Sequence, residues 1–340
     1  MTRRGRTTAV WTATSAMLLL MVLLDLHTGS FRTGFSDIVS LLHGDMDATA
    51  SVILLKLRLP RIATAVTAGA ALAVCGALMQ AVFRNSLADP HILGISAGAG
   101  TGVAALTLAA GLIPQSGAAA WLADSGIGMT LAAGMGAVCV SLLMMWISTR
   151  VRQASALLIA GVMTGFIMSA LTSIMEYQAD ESRLKAFWSW SAGCFSGNSW
   201  NETAIMAAAL VIGTAIAISQ GKGLSVMLFG DDYAAAAGVG TGRVRSWSML
   251  GCCVMTGTVT AFCGPIGFIG IVAPHAARIL SGKAAMRTIL PLSMMTGALI
   301  SVCGDWLSQI PDSPLPVGST IALIGIPLLF VLIRRFRNNF

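Results

Sequence analysis

The chain has 340 residues, of which 56% are hydrophobic and only 10% charged, and its mean hydropathy is +0.80. Soluble domains carry about 25% charged residues, so this composition excludes a soluble globular enzyme and defines an integral membrane protein surrounded by lipid. The net charge of +7 would point a soluble chain towards nucleic acid; here it is read side by side across the membrane, and no nucleic-acid partner is expected.

A span needs about 20 apolar residues, fewer where flanking polar groups snorkel. On that rule the chain has ten, near 9–26, 62–82, 91–112, 127–148, 154–177, 203–219, 246–263, 266–280, 288–309 and 317–333. The first follows Arg3, Arg4 and Arg6 like a signal peptide, but no small-residue cleavage site follows Asp25-Leu26-His27, and it is expected to stay as an uncleaved span. Before the second span stands Arg58-Leu59-Pro60-Arg61, with Pro60 suited to a first helical turn. Two readings of these arginines stand: snorkelling to headgroups, or a basic dock for an acidic soluble partner.

Arg84 to His91 turns the chain, with Asp89 as N-cap and Pro90 opening the third span; His91 reads as an interfacial side chain. Gly94, Gly98 and Gly102, then Gly161 and Gly165, recur every fourth residue, which lets helix backbones approach closely. The Trp188 to Trp200 cluster reads as an aromatic belt. Residues 220–245 are too polar and too broken by glycine to span a bilayer. Within them Leu224 to Phe229 and Tyr233 to Ala237 each read as one or two helical turns, set between Gly230 and the Gly238, Gly240, Gly242 series. Asp231 or Asp232 suits the positive N-terminus of the second small helix, and capping is the expected role of both. Two small helices in a loop form a docking surface. Cys263-Gly264-Pro265-Ile266-Gly267 barely separates the seventh and eighth spans, which leaves open one span plus a re-entrant piece.

An even count puts both termini on one side. That side holds 15 of the 21 lysines and arginines and the other side 6, so both termini are expected in the cytoplasm. The eight tryptophans fall at or near span ends, as amphipathic indoles do. The seven cysteines show no CxxC or Cys/His spacing and read as small hydrophobes rather than metal ligands. Asp25, Glu176 and Asp305 lie near the outer ends of their spans and His275 near an inner end, so no carboxylate or lysine sits at the midplane, where ion-coupled carriers use one. Gly221-Lys222-Gly223 is not the phosphate loop of an ATPase. An ion-coupled secondary transporter remains the alternative to a permease driven by a partner.

Arg58-Leu59-Pro60-Arg61, the Gly69 to Gly76 run, Asn85 to Pro90 with Leu93-Gly94-Ile95-Ser96, Gly230-Asp231-Asp232, Gly264-Pro265-Ile266-Gly267-Phe268, Pro274-His275 and Leu315-Pro316-Val317-Gly318 together resemble the FecCD family of ABC-importer permeases, from about residue 50 to the C-terminus. The resemblance implies an all-α, ten-span type II importer permease of the cytoplasmic (inner) membrane. It implies a second permease copy (homodimer or paired paralogue), two cytoplasmic ATPase subunits that bind ATP and magnesium, and a periplasmic or surface-tethered binding protein. This subunit is then no enzyme and holds no cofactor or metal of its own; the cargo is a ferric siderophore, with haem or cobalamin as alternatives.

By the same resemblance Arg58 and Arg61 receive the binding protein, while the third basic position of that dock is here Gln309. Asn85, Leu87 and Ser155 form the cytoplasmic gate, although the family's proline between the first two is Ser86 and its threonine beside Ser155 is Ala154. Leu224, Phe229, Gly230, Asp231, Asp232, Gly238 and Gly240 belong to the coupling helices that sit in a cleft on the ATPase.

Overall fold

The computed structural model describes residues 3–28, 51–108, 125–151, 153–311 and 315–337; residues 109–112 of the third predicted span lie outside these, as do Arg32, Trp121 and Arg152. Among the described residues there are helices and no strands. In chain order they are α1 (Arg3–His27), α2 (Leu59–Phe83), α3 (Ile95–Thr107), α4 (Gly126–Arg150), α5 (Ala154–Tyr177) and α6 (Glu181–Ser191). Then come α7 (Trp200–Met227), α8 (Asp231–Ala236), α9 (Thr241–Cys263), α10 (Ile269–Ser281), α11 (Met286–Ser308) and α12 (Val317–Arg337). A π-helical turn, Ile53–Arg58, leads into α2, and a 3-10 turn, Pro90–Leu93, precedes α3. By length and apolarity α1, α2 with its lead, α4, α5, α7, α9 and α11 can each cross a bilayer, while α3, α10 and α12 provide shorter apolar helices.

The bundle is organised around α2, an alanine- and glycine-rich helix whose residues from Ala68 to Phe83 are all buried. It packs against α7, α9, α10 and α11. Its small side chains permit main-chain contact: a Cβ on Gly76 would fall into the main chain of Gly270 on α10. Water-driven burial is absent inside a membrane, so close packing of this kind is what holds helices together. A second seam joins α3 to α4, where Gly98 faces Gly136 and Val140, and α9 closes the other side of α4. α5 is the opposite case, with Ile159, Phe166, Ile167 and Ile174 all exposed and only 17% of its apolar stretch buried. That surface suits lipid or another apolar helix.

Two features differ from the sequence expectations, and two more sharpen them. α7 does not stop at 219 but runs without a break to Met227, so Leu224 belongs to its last turns and is fully buried rather than lying in a separate small helix. Gly221 and Gly223 do not break it because α9 packs close by; a Cβ on Gly223 would lie 2.7 Å from Val244 Cγ2. The third span does not begin as continuous helix at Pro90: Gly94 takes φ +75° between the 3-10 turn and α3, lying against Gly161 and Gly165 of α5. Glu181–Ser191, which precedes and overlaps the Trp188 to Trp200 cluster, forms the helix α6 and carries Trp188 and Trp190. As the seventh and eighth spans were counted, α9 and α10 are separate helices, joined by a tight corner at residues 264–268. The 13 residues of α10 rise about 20 Å, less than a hydrocarbon core about 30 Å thick, so α10 alone is too short to cross such a core. His91 Nε2 lies 2.6 Å from the Ile266 carbonyl oxygen of the corner.

Candidate functional site

The sequence-predicted residues gather at two opposite ends of α2. At its N-terminal end Arg61 makes a two-pronged ion pair with Asp305 of α11: Nη2 donates to Oδ1 at 2.7 Å and Nε to Oδ2 at 2.9 Å. Asp305 is fully buried and Arg61 only 18% exposed. Arg61 Nη2 also donates to Ser308 Oγ at 3.2 Å. Beside this pair Gln309 Nε2 donates to Asp25 Oδ1 at 2.6 Å, and Trp306 Nε1 to Thr28 Oγ1 at 3.0 Å. Arg58 is half-buried, and its Nη1 donates to the Leu26 carbonyl at 2.5 Å. These contacts fasten the ends of α1, α2 and α11 to one another. The two arginines therefore differ: Arg61 is engaged by a buried carboxylate, whereas Arg58 reaches a main-chain oxygen of α1. Sequence reasoning assigned Asp25, Asp305 and Gln309 no joint role, and the signal it held was their common placement at outer span ends.

At the C-terminal end of α2 the chain turns on Arg84, which adopts a left-handed backbone at φ +50°. Asn85 Oδ1 accepts from Leu87 N at 3.0 Å and the Asn85 carbonyl from Ala88 N at 3.1 Å, an Asx turn. Asp89 caps the following 3-10 turn as expected, Oδ1 accepting from His91 N at 2.9 Å. Leu87 is left 49% exposed. α5 packs on the 90–93 turn, and Ser155 is exposed in its first turn. Among the described residues no hydrogen bond joins Ser155 to Asn85 or Leu87.

Beside this turn lies the short α8 element. Phe229 and Tyr233 are 77% and 60% exposed, and their rings pack on each other with centroids 5.8 Å apart. Gly230 takes φ +123°, a backbone that side chains rarely adopt, and Gly238 takes +80°. Gly240 is the N-cap of α9, and Asp232 is exposed. Neither aspartate makes a capping hydrogen bond at α8, whose N-cap is Gly230. Asp231 instead accepts from Arg245 Nη2 at 3.1 Å and lies 3.7 Å from Arg84 Nη2. The reason is local: Arg245, at the base of α9, is only 2% exposed, and a buried guanidinium requires an anionic partner.

The chain is thus a multi-pass helical bundle of the membrane-spanning kind, clasped at one end by a buried ion pair, with a compact element of exposed aromatics beside a turn at the other. The sequence model of the FecCD transport family matches residues 17–335, and the chain belongs to this family of ABC-transporter permeases. Among its relatives, the cobalamin import system permease protein BtuC of Halobacterium salinarum is 33% identical over 289 residues, covering 84% of this chain and 74% of the relative. The iron(3+)-hydroxamate import system permease protein FhuB of Bacillus subtilis is 32% identical over 304 residues, covering 88% and 76%. Among solved structures, an ABC transporter assigned to the metal-chelate type, in an inward-facing conformation, superposes with a TM-score of 0.82 at 25% identity, covering 96% of this chain and 99% of that one.

Proposed function

We propose that this chain is the translocation subunit of an importer that carries a metal chelate, a ferric siderophore first, across the cytoplasmic membrane, with ATP hydrolysed by separate partner subunits. The observation that carries this reading is the α8 element. Phe229 and Tyr233 expose two rings in tilted contact on a segment too polar to lie in lipid, and exposed aromatics held by a fixed backbone are the anchors protein interfaces use. An ATPase cleft is the occupant proposed for them. On this reading the Arg84 end and both termini face the cytoplasm, and the Arg61 end faces the binding protein, with Arg58 as the less buried of its two arginines. A second permease copy completes the pathway. Neither cofactor nor bond chemistry is assigned to this subunit.

The cargo is argued from kinship with the hydroxamate permease. Cobalamin is the second reading, because the Halobacterium relative is a cobalamin permease of equal similarity. The test is to assemble the permease with its ATPase and binding protein and measure ATP hydrolysis with ferric hydroxamate, ferric catecholate, haem or cobalamin as the load. A ferric siderophore should stimulate hydrolysis most. Stimulation by cobalamin alone would replace the iron reading with the second one.

A further inference from the structure

We infer that Asp231 and Arg84 form the link through which movement of α8 reaches the turn at Asn85 and Leu87, with Arg84 as the positioning residue. This rests on the reading of α8 as the ATPase-coupling element and of the turn as a gate. Three observations converge on Arg84. Its guanidinium approaches Asp231 Oδ2 at 3.7 Å. It also overlies the Gly230 backbone, where a Cβ would lie 3.4 Å from Arg84 Nη1. Its own backbone is left-handed at φ +50°, a conformation that a residue with a side chain holds only where its surroundings over-determine it.

Arg84 directly precedes Asn85, whose side chain organises the turn through Leu87 N. On the other side Asp231 is held by Arg245, buried at the base of α9. Phe229 and Tyr233 flank Gly230-Asp231 in sequence and face outward. A push on those rings displaces Asp231 together with α9, and Arg84 follows its counter-charge and draws on the first residue of the turn. Among the described residues Arg84–Asp231 is the ion pair that connects the turn to α8. Sequence reading placed Arg84 at the start of the turn and among the basic residues of one side, with no partner.

The test uses R84Q, which leaves Asp231 paired with the buried Arg245, and compares it with R84K, D231N and the R84Q/D231N double variant. Hydrogen exchange is read on the permease alone. R84Q should lower protection of residues 85–93 several-fold and leave α7 unchanged, with R84K restoring it. In proteoliposomes holding the assembled complex, R84Q should retain ATPase assembly and hydrolysis while chelate taken up per ATP falls about tenfold. The double variant should be no worse than D231N. Unchanged uptake per ATP in R84Q would overturn the inference, and so would loss of ATPase assembly, which would make Arg84 a docking contact. A native complex that moves no chelate would instead overturn the proposed function, and the hydrogen-exchange arm would still decide the link.

Discussion

Arg61 and Arg58, three residues apart, sit in different surroundings. Arg61 neutralises a carboxylate with no solvent access, so R61A strands the Asp305 charge in the interior; breaking a buried pair in this way costs about 3–5 kcal/mol. Thermal unfolding of the detergent-solubilised protein should show that loss. If Arg58 belongs to the dock proposed for the binding protein, R58E should keep most of the stability and instead slow that association, more so at low ionic strength, because charges at an interface rim act mainly on encounter. Equal destabilisation by both variants would mean that Arg58 is as structural as Arg61. The sequence showed both arginines and their unusual position, but it gave no sign that the partner of Arg61 lay on α11. Asp231 follows the same pattern: its place in the first turn of α8 was legible, whereas its commitment to Arg245 and Arg84 depended on tertiary packing.

At the scale of the helix, α7 and α8 carry the functional argument. Because α7 has 28 residues, it rises about 42 Å, more than a core about 30 Å thick, which is long enough to carry α8 beyond the lipid. Glycines and a lysine near residue 222 made this extra length read as loop. The helix persists because tertiary contact with α9 outweighs the weak local propensity of Gly221 and Gly223. If α8 is the docking element, F229A and Y233A should each weaken ATPase association by roughly tenfold or more, about 1.4 kcal/mol or above, measured as the dissociation constant of the solubilised permease for its ATPase. Wild-type affinity in the F229A/Y233A double variant would remove α8 from that interface. The apolar spans were the legible part, since length and hydropathy alone fix them. Interruptions such as Gly94 and the corner at 264–268 were visible as motifs without their geometry, which depends on which helix lies opposite.

For the molecule as a whole, the account is of an alanine-rich central helix that joins two ends: a charged clasp around Asp305 and a turn tied to an exposed aromatic element. The family was legible because its motifs are spread along the chain in order. The cargo was not, because exposed apolar faces such as that of α5 suit lipid, a partner helix or a passenger equally. The most direct measurement is uptake of a radiolabelled ferric siderophore into proteoliposomes bearing the permease, its ATPase and its binding protein. Uptake that requires ATP on the ATPase side, and is abolished when the ATPase is omitted even under an imposed proton gradient, is the predicted result. Uptake driven by the gradient without the ATPase would contradict the account.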